Sequence, residues 1–177
     1  MSRDSYTYVP GTQSTPFFAG PRVLNRPHSI TASVEIPEGG ADGVLLNQGT
    51  SAGGYSFFMK EGALHYVHNY VGRSVHRVSS PEPVPAGVHE LRFEFEPTGQ
   101  PDMPNGRGAP GRLQLYVDRE LVATGDAPVT MPFIINPGGI TCGVASGSPV
   151  GSNSNRSSCA PAGTGSGEET WWRLRET

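Results

Sequence analysis

Apolar and polar residues alternate along short segments between His28 and Gly125, and glycine, proline and aspartate turns separate these segments at nearly regular intervals. In residues 29–36 every second position is apolar, so one face of an extended chain is dry and the other is polar. Segments of this kind pack as two sheets face to face, which makes the predicted fold class all-β. We predict strands at 29–36, 43–48, 55–60, 63–70, 74–79, 88–96, 111–117, 120–125 and 132–136.

The sequence divides into three parts. Residues 1–27 carry aromatic residues and turn formers with little alternation, and we expect an extended N-terminal arm. The β-sandwich should occupy residues 28–150. Serine, glycine and asparagine dominate much of the remainder, so residues 151–177 are predicted to be a low-complexity, disordered tail. Trp171 and Trp172 stand out there, because two indoles could dock on the sandwich or belong to aberrant sequence.

Composition narrows the range of partners. The chain has 177 residues with 24 glycines and 17 prolines, which favours turns and short strands over long helices. A net charge of -3 gives no reason to expect nucleic acid or an anionic membrane as partner. The sequence contains no apolar run of about 18 residues, and its first residues have neither a basic flank nor an apolar leader. We therefore expect a cytoplasmic protein.

Several blocks of the chain carry a resemblance that the alternation alone does not reveal. They are YVPGT (8–12), HSITASVEIP (28–37), DGVL (42–45), GGYSF (53–57), GALHYVHNY (62–70), PAGVHELRF (85–93), LQLYVD (113–118) and GSPV (147–150). In their order and spacing these blocks resemble the C-terminal region of bacterial, especially actinobacterial, arylsulfatases. The resemblance covers about residues 6–150.

The resemblance implies both a fold and a function. In that family this region is similar to a concanavalin-A-like or laminin-G-like jelly roll, attached to a large α/β catalytic domain. The chain would then be a C-terminal accessory domain or fragment of an arylsulfatase, a sulfuric ester hydrolase. Its partner would be the sulfatase catalytic domain, in cis or as a separate chain. The family also implies one closing strand after Val150, where this chain has serine- and glycine-rich sequence.

The catalytic parts of the family do not match this chain. The family uses a Cys-x-Pro-x-Arg motif, whose cysteine matures to formylglycine, and aspartate and asparagine ligands of calcium. Here Cys159 is followed by Pro161, but Gly163 occupies the arginine position. No paired aspartates suit a hard cation either. We therefore predict that the chain alone is inactive and holds no cofactor, since calcium and formylglycine would belong to the missing catalytic domain.

An alternative function is a free-standing carbohydrate-binding, lectin-like module. Tyr55, Tyr66, His68, Asn69 and Tyr70 form a candidate glycan-contact patch, because aromatic faces with nearby amide groups suit sugars. The simpler interpretation is that these residues are core and rim of the sandwich.

Two carboxylates raise a third function, that of a small glycosidase. Glu94 and Glu96 share one face of a strand, and a glycosidase needs two carboxylates flanking a sugar. Arg92 on the same face supplies a neutralising neighbour instead, so a solvated strand face explains the pair better.

Histidines and cysteines give no metal site. His65 and His68 are separated by an odd number of residues, so they point to opposite faces of a regular strand and do not form a cluster with His76. Cys142 and Cys159 lack the close partners that zinc requires. A disulfide between them stays open, although the expected cytoplasmic context argues against it, and we assign both cysteines structural or incidental roles.

Overall fold

The computed structural model describes residues 5–8, 15–16, 19–133, 139–143, 150 and 171–176. This part of the chain contains eleven β-strands and one short 3₁₀ helix, η1 (Met103–Asn105). No helix within these ranges is long and apolar enough to cross a membrane. The strands are β1 (Ser5–Tyr8), β2 (His28–Ile36), β3 (Gly43–Thr50), β4 (Gly53–Lys60), β5 (Ala63–Tyr70), β6 (Ser74–Ser79), β7 (Gly87–Pro97), β8 (Gly111–Val117), β9 (Glu120–Ala127), β10 (Ile140–Cys142) and β11 (Trp171–Glu176).

The strands form two sheets in which every neighbouring pair is antiparallel. The six-stranded sheet has the order β1-β11-β2-β7-β8-β9, and the five-stranded sheet has the order β10-β3-β4-β5-β6. One hydrophobic core draws its residues from both sheets. The predicted all-β sandwich is therefore confirmed.

The core lies between the sheets because alternate side chains of each strand point inward. Ile30 and Phe93 from the six-stranded sheet meet Phe57 and Tyr66 from the five-stranded sheet. The rings of Tyr66 and Phe93 stack with centroids 3.5 Å apart. A favourable aromatic pair contributes about 1 kcal/mol beyond the burial of its area, so these rings tie the sheets together.

The five-stranded sheet is buried on its outer face as well. Val44, Phe58 and Val67 form a second apolar cluster with Val150, on the face turned away from the main core. Strands β3 and β4 are consequently buried along nearly their whole length. Because both faces are buried, these strands lack the contrast between a solvent-exposed face and a core face from which the alternating pattern predicts strands.

Three tight turns between consecutive strands place both central residues at positive φ, as hairpin turns of the primed kind do. A β-branched residue is strained in this conformation because its Cβ meets the backbone. Val71, at φ 45°, carries that strain. The three pairs are Glu61 with Gly62, Val71 with Gly72, and Asp118 with Arg119.

The predicted strands from 29–36 to 120–125 correspond to β2 through β9, with differences of a few residues at their ends. The strand predicted at 132–136 is not confirmed, since residues 132–133 form bends and residues 134–136 lie outside the described ranges. Strand β10 had no counterpart in the prediction. It has three residues, which is too short for an alternating pattern.

Strands β1 and β11 lie in the predicted arm and the predicted tail. β11 is inserted between β1 and β2, and it pairs with both in antiparallel register. Tryptophan favours strands, but a run of six residues after a long serine- and glycine-rich segment gives too little periodicity to recognise. Residues 171–176 thus form a strand within the segment that was predicted to be a disordered tail. Residues 151–170, with Cys159, lie outside the described part of the chain.

Candidate functional site

The five residues of the predicted glycan-contact patch lie on β4 and β5, and all of them are buried. Their exposed fractions run from 1% for Tyr66 to 8% for Tyr70. Tyr66 belongs to the main core, and by strand alternation His68 and Tyr70 share its face. Asn69 points to the opposite face by the same alternation. Four of the five side chains are therefore on the inner face, and none offers an open ring for a sugar to stack on.

Asn69 and Tyr70 hold the backbone around them. The Asn69 side-chain amide donates hydrogen bonds to the carbonyl oxygens of Ser51 (3.0 Å) and Val150 (2.6 Å), and its own oxygen accepts one from the Gly72 amide (2.8 Å). The Tyr70 hydroxyl donates to the Gly106 carbonyl oxygen at 2.9 Å. These contacts fix turns and loops at one end of the sandwich, where β5 ends.

Tyr55, Tyr66 and His68 come together at a pocket at this same end. Two adjacent openings, with about 260 and 280 Å³ of space not filled by atoms, including the part open to solvent, share Leu24, Tyr55 and His68 in their walls. We call this the end pocket. It is narrow, with room for about one water molecule in each opening. Its other walls include Val23, Asn25, His28, Gln48, Gly49, Gly53, Gly54, Phe95, Thr130 and Met131.

Loops from three parts of the chain hold the rim of the end pocket. The Asn25 side chain donates to the Pro132 carbonyl oxygen (2.9 Å) and accepts from the Ala109 amide (2.8 Å). The Thr130 hydroxyl donates to the Ala109 carbonyl oxygen at 2.7 Å. Glycine at 53 lets Met131 approach, because a Cβ there would lie 2.8 Å from the Met131 sulfur. The rim is built from contacts between residues far apart in sequence.

Two buried histidines face the end pocket as neutral rings. Burial lowers the pKa of His28 to about 4, although its hydrogen bond to the Arg26 carbonyl raises the pKa in part. Burial, with smaller contributions from His76 and His28, lowers the pKa of His68 to about 3. Removing a charged imidazolium from water is unfavourable, and none of the described residues that line the pocket is a carboxylate that could offset that cost.

The hydrogen bonds of these rings fix which nitrogen carries the proton. His28 Nδ1 lies 2.9 Å from the Arg26 carbonyl oxygen, which only accepts, so Nδ1 donates and Nε2 is an acceptor. His68 Nε2 accepts from the Met131 amide at 3.0 Å, so its proton is on Nδ1.

Several buried polar atoms at the end pocket have no hydrogen-bond partner among the described residues. They are His28 Nε2, the Tyr55 hydroxyl and both atoms of the Gln48 amide. Each such atom costs about 1–3 kcal/mol relative to a hydrogen-bonded one. Four of the nine such atoms in the described part of the chain therefore lie at the end pocket.

The remaining histidines of β5 and β6 lie apart from the pocket. His65 stacks on Phe58 with centroids 5.1 Å apart, on the outer face, and its Nδ1 contacts the Ser79 hydroxyl at 2.7 Å. His76 is opposite His68 on the neighbouring strand. His65 and His68 point to opposite faces, as the sequence predicted. Within the described ranges, no three His, Cys, Asp or Glu residues are grouped so that they could hold a metal ion.

A second arrangement lies on the outer face of the six-stranded sheet. Arg92 and Glu94 of β7 face Tyr116 and Gln114 of β8 across the strands. We call these four residues the polar face. Arg92 pairs with Glu94 (N to O, 3.1 Å), and its guanidinium carbon lies 4.3 Å from the centre of the Tyr116 ring. The Gln114 amide donates to the Tyr116 hydroxyl at 3.1 Å, and that hydroxyl is hydrogen-bonded to Glu94.

The charges around Tyr116 favour the protonated form of its hydroxyl. Burial, the negative charge of Glu94 and the hydrogen bond to it raise the pKa of Tyr116, so its hydroxyl keeps its proton and donates to the carboxylate. Arg92 and Glu94 are both about 30% exposed, at 29% and 32%, so the network remains reachable from solvent. The polar face therefore presents planar groups, donors and acceptors held in fixed positions.

The two carboxylates of the glycosidase hypothesis are both paired with arginine. Glu94 contacts Arg92, and Glu96 lies 3.4 Å from Arg112 on β8. Two catalytic carboxylates must flank the sugar, whereas each of these is engaged by an arginine beside it on the sheet. This geometry argues against a glycosidase role, in line with the neutralising effect expected of Arg92.

Sequence reasoning missed Gln114 and Tyr116. In the alternation of apolar and polar residues along 111–117, both lie on the polar side of the strand. That alternation is the sequence signal that could have identified them. Their position opposite Arg92 and Glu94 depends on the register between β7 and β8, which residues 98–110 separate. The sequence alone does not specify that register.

Comparisons with known proteins show the fold. No family model matches the chain, and no curated protein matches it either. Similar solved structures include domains LG4-5 of the mouse laminin alpha1 chain, with a TM-score of 0.61, 15% identity, and coverage of 97% of this chain and 42% of that one. Another is the CBM40 domain of the Ruminococcus gnavus IT-sialidase bound to alpha2,3 sialyllactose, with a TM-score of 0.56, 13% identity, and coverage of 98% and 89%.

A third similar structure is the leech intramolecular trans-sialidase complexed with 2,7-anhydro-Neu5Ac, with a TM-score of 0.56, 11% identity, and coverage of 99% of this chain and 25% of that one. The chain thus spans less than half of the laminin chain and a quarter of the leech enzyme. None of these three structures is described as a sulfatase. The fold of this protein is a concanavalin-A-like, laminin-G-like jelly roll.

Proposed function

We propose that this protein is a non-catalytic carbohydrate-binding module, and that it binds a neutral glycan on the polar face. The observation that carries the proposal is the closed network of Arg92, Glu94, Gln114 and Tyr116. It places a carboxylate, an amide and a hydroxyl beside an aromatic ring on two adjacent strands.

The chemistry of this network suits sugars. A pyranose offers hydroxyl groups that both donate and accept, and it has an apolar side that packs on an aromatic or guanidinium plane. Glu94 accepts hydrogen bonds, Gln114 donates and accepts, and the Tyr116–Arg92 pair supplies the plane. Because the side chains already hold each other, binding immobilises few additional rotamers, which favours affinity.

Charge pairing indicates that the sugar is neutral. Arg92 is held by Glu94, so a carboxylate on the ligand would have to compete with an existing ion pair. Glu96 and Asp126 flank Arg112 in the adjacent row of the sheet, and Arg175 lies in the row of Glu94, so positive and negative charges balance around the polar face. The face therefore has no excess of positive charge to attract an anionic sugar.

The comparison with CBM40 supports a carbohydrate ligand in general, because that domain is bound to sialyllactose and has the same fold over nearly the whole of this chain. At 13% identity it supports no particular contact. The choice of a neutral glycan rests on the charges of the polar face.

A glycan array tests the proposal, followed by calorimetric titration of the best neutral ligand against variants. We expect Tyr116→Ala to weaken binding about tenfold through loss of the ring. We expect Glu94→Gln to weaken it about fivefold, because a charge-assisted hydrogen bond is replaced by a neutral one.

The matched control is Phe133→Ala, which removes an exposed aromatic ring outside the strands of both sheets. It should leave affinity unchanged. Binding that survives Tyr116→Ala, or an array that responds only to sialylated glycans, would contradict the proposed site. An array without any ligand would contradict the function itself.

The second candidate function is an accessory domain of an arylsulfatase, and it rests on the sequence blocks between residues 6 and 150. In such a protein the sandwich would support or cover a separate catalytic domain. Peptide mapping of the native polypeptide tests this candidate. A larger product that contains a Cys-x-Pro-x-Arg peptide would favour it, and a product of this length alone would count against it.

A further inference from the structure

The turn at the end of η1 contains the one Asn-Gly pair of the sequence, Asn105 with Gly106. Asn105 is the last residue of η1 and is exposed, and no residue of this 3₁₀ helix is buried. Gly106 follows at φ 67°, and a Cβ placed on it would meet no atom within 4 Å. The pair therefore lies in open space, on a helical turn that packing in the core does not stabilise.

An asparagine followed by glycine reacts with its own backbone. The Gly106 backbone nitrogen attacks Cγ of the Asn105 side chain, and the new N–Cγ bond closes a succinimide ring. The Cγ–Nδ2 bond breaks, and the side-chain nitrogen leaves as ammonia with the proton of the Gly106 amide. Water then adds to either carbonyl of the ring, which opens it to aspartate or to isoaspartate. Glycine permits the attack because it has no Cβ to obstruct ring closure.

Hydrogen bonds of the turn engage both reacting groups. The Asn105 side-chain nitrogen, which has to leave, donates to Asp102 Oδ2 at 2.8 Å. The Gly106 amide, which has to attack, donates to the Met103 carbonyl oxygen at 3.0 Å. Both contacts join residues that are close in the chain. Opening this single turn releases the two groups, and the cost is small because none of the η1 residues is buried.

We propose that Asn105 is a modification site, where the folded protein converts the asparagine to aspartate and isoaspartate with water as the reactant, and that the Asp102 carboxylate restrains this reaction. Either product places a second carboxylate beside Asp102, so an attractive contact is replaced by repulsion between like charges. The site is separate from the polar face, and the proposal goes beyond carbohydrate binding.

Isoaspartate would also change how the following loop is attached. The Tyr70 hydroxyl donates to the Gly106 carbonyl oxygen at 2.9 Å. A little further along the chain, Ala109 contacts Asn25 and Thr130 at the rim of the end pocket. Isoaspartate adds one methylene to the main chain, which displaces the Gly106 carbonyl from the Tyr70 hydroxyl. We therefore expect the modified loop to be held less firmly at this end of the sandwich.

Peptide mapping of the full chain during incubation at neutral pH in water enriched in ¹⁸O tests the proposal. Trypsin releases residues 93–107, where Asn105 is the only asparagine, and each conversion places a heavy oxygen in that peptide. An isoaspartate methyltransferase then labels the isoaspartate fraction. We expect both products to accumulate in the folded wild type. Asn69, which is buried and holds three hydrogen bonds through its side chain, is the internal control and should stay unchanged.

Variants of Asp102 test the restraint. Asp102→Ala should raise the rate at Asn105 about fivefold, because the hydrogen bond to a charged acceptor is lost. Asp102→Asn keeps the shape of the side chain and a neutral acceptor, so it should raise the rate only about twofold. The matched control is a synthetic peptide of residues 93–107, with and without the Asp102→Ala change. The turn is not held there, so the peptide should react faster than the folded protein, and the substitution should have little effect.

Three results would overturn the proposal. No conversion of Asn105 in the folded protein, under conditions in which the peptide reacts, would show that the turn does not open. An unchanged or lower rate in both Asp102 variants would show that the carboxylate does not restrain the reaction. A rate that rises with urea in step with the fraction of unfolded protein would show that only global unfolding exposes the pair. Failure of glycan binding at the polar face would leave this proposal unaffected.

Discussion

Acidification from pH 7 to pH 5 should destabilise the protein through His28 and His68. Both rings are buried and neutral, with pKa values lowered to about 4 and about 3. In the unfolded chain a histidine has a pKa of about 6.5 and gains a proton as the pH falls below that value. The unfolded state then binds more protons than the native state, so stability decreases with decreasing pH.

The magnitude follows from the gap between pH 5 and the unfolded pKa. Each pH unit below about 6.5 costs about 1.4 kcal/mol per histidine, as long as the native ring stays neutral. At pH 5 each ring therefore contributes a loss of about 2 kcal/mol. The two together lower the unfolding free energy by about 4 kcal/mol, a large part of the 5–15 kcal/mol typical of a domain.

Urea denaturation at pH 7 and at pH 5 measures this loss directly. We would compare the wild type with His28→Asn, whose amide can still donate to the Arg26 carbonyl, and with His68→Gln, whose oxygen can still accept from the Met131 amide. Each variant should reduce the difference between the two pH values by about 2 kcal/mol. The partly buried His65 and His76 also have lowered pKa values and act in the same direction, so the comparison between variants isolates the buried rings.

The pH range from 7 to 8 is the internal control, because histidines are mostly neutral there in both the folded and the unfolded protein. The unfolding free energies of the wild type and the two variants should therefore change in parallel over this range. A wild-type protein that loses less than about 1 kcal/mol between pH 7 and pH 5 would refute this reasoning. A variant with the full wild-type loss would show that its histidine is not buried as a neutral ring.

Other perturbations follow from the packing and the turns. Phe93→Ala should cost about 3–5 kcal/mol in urea denaturation, because its fully buried ring stacks on Tyr66, whereas Val88→Ala on the same strand, 57% exposed, should change stability by less than about 0.5 kcal/mol. Val71→Asn should raise the unfolding free energy by about 1 kcal/mol, because asparagine tolerates positive φ, and an unchanged or lower value would count against strain there. Gly54→Ala should lower the thermal midpoint, because its Cβ would meet the Gln48 carbonyl oxygen at φ 135°, and an unchanged midpoint would contradict the close approach of β3 and β4.

The strands were predictable where the pattern is local. From β2 to β9 each strand is a run of six or more residues bounded by turn formers, and this is the information that period-two alternation carries. β1 and β11 depend on each other, because β11 is the strand that pairs with β1 in the described sheet. No local pattern can report a pairing between residues 5–8 and 172–175.

The candidate site was less predictable than the fold. Residues separated by an odd number of positions point to opposite faces of a strand, which is how the sequence separated His65 from His68. The same rule places Asn69 on the face opposite Tyr66, so the sequence already indicated that Asn69 does not belong to the patch. The burial of the patch agrees with the simpler interpretation, that these residues are core and rim of the sandwich, and Phe58 and Val67 bury the outer face of the same sheet too. The end pocket in turn depends on loops that meet only in three dimensions, such as the contact of Asn25 with Ala109.

The position of β11 has a consequence for how the chain matures on the ribosome. β2 is synthesised early, but β11, which pairs with one of its edges, is synthesised only after residues 37–170. During that interval β2 presents free amide and carbonyl groups along an edge, and such edges recruit strands from other molecules. Sheet closure over so long a sequence separation is slow, because the loop entropy must be overcome before the contact forms. Nascent chains stalled before residue 171 should therefore associate with chaperones more than completed ones.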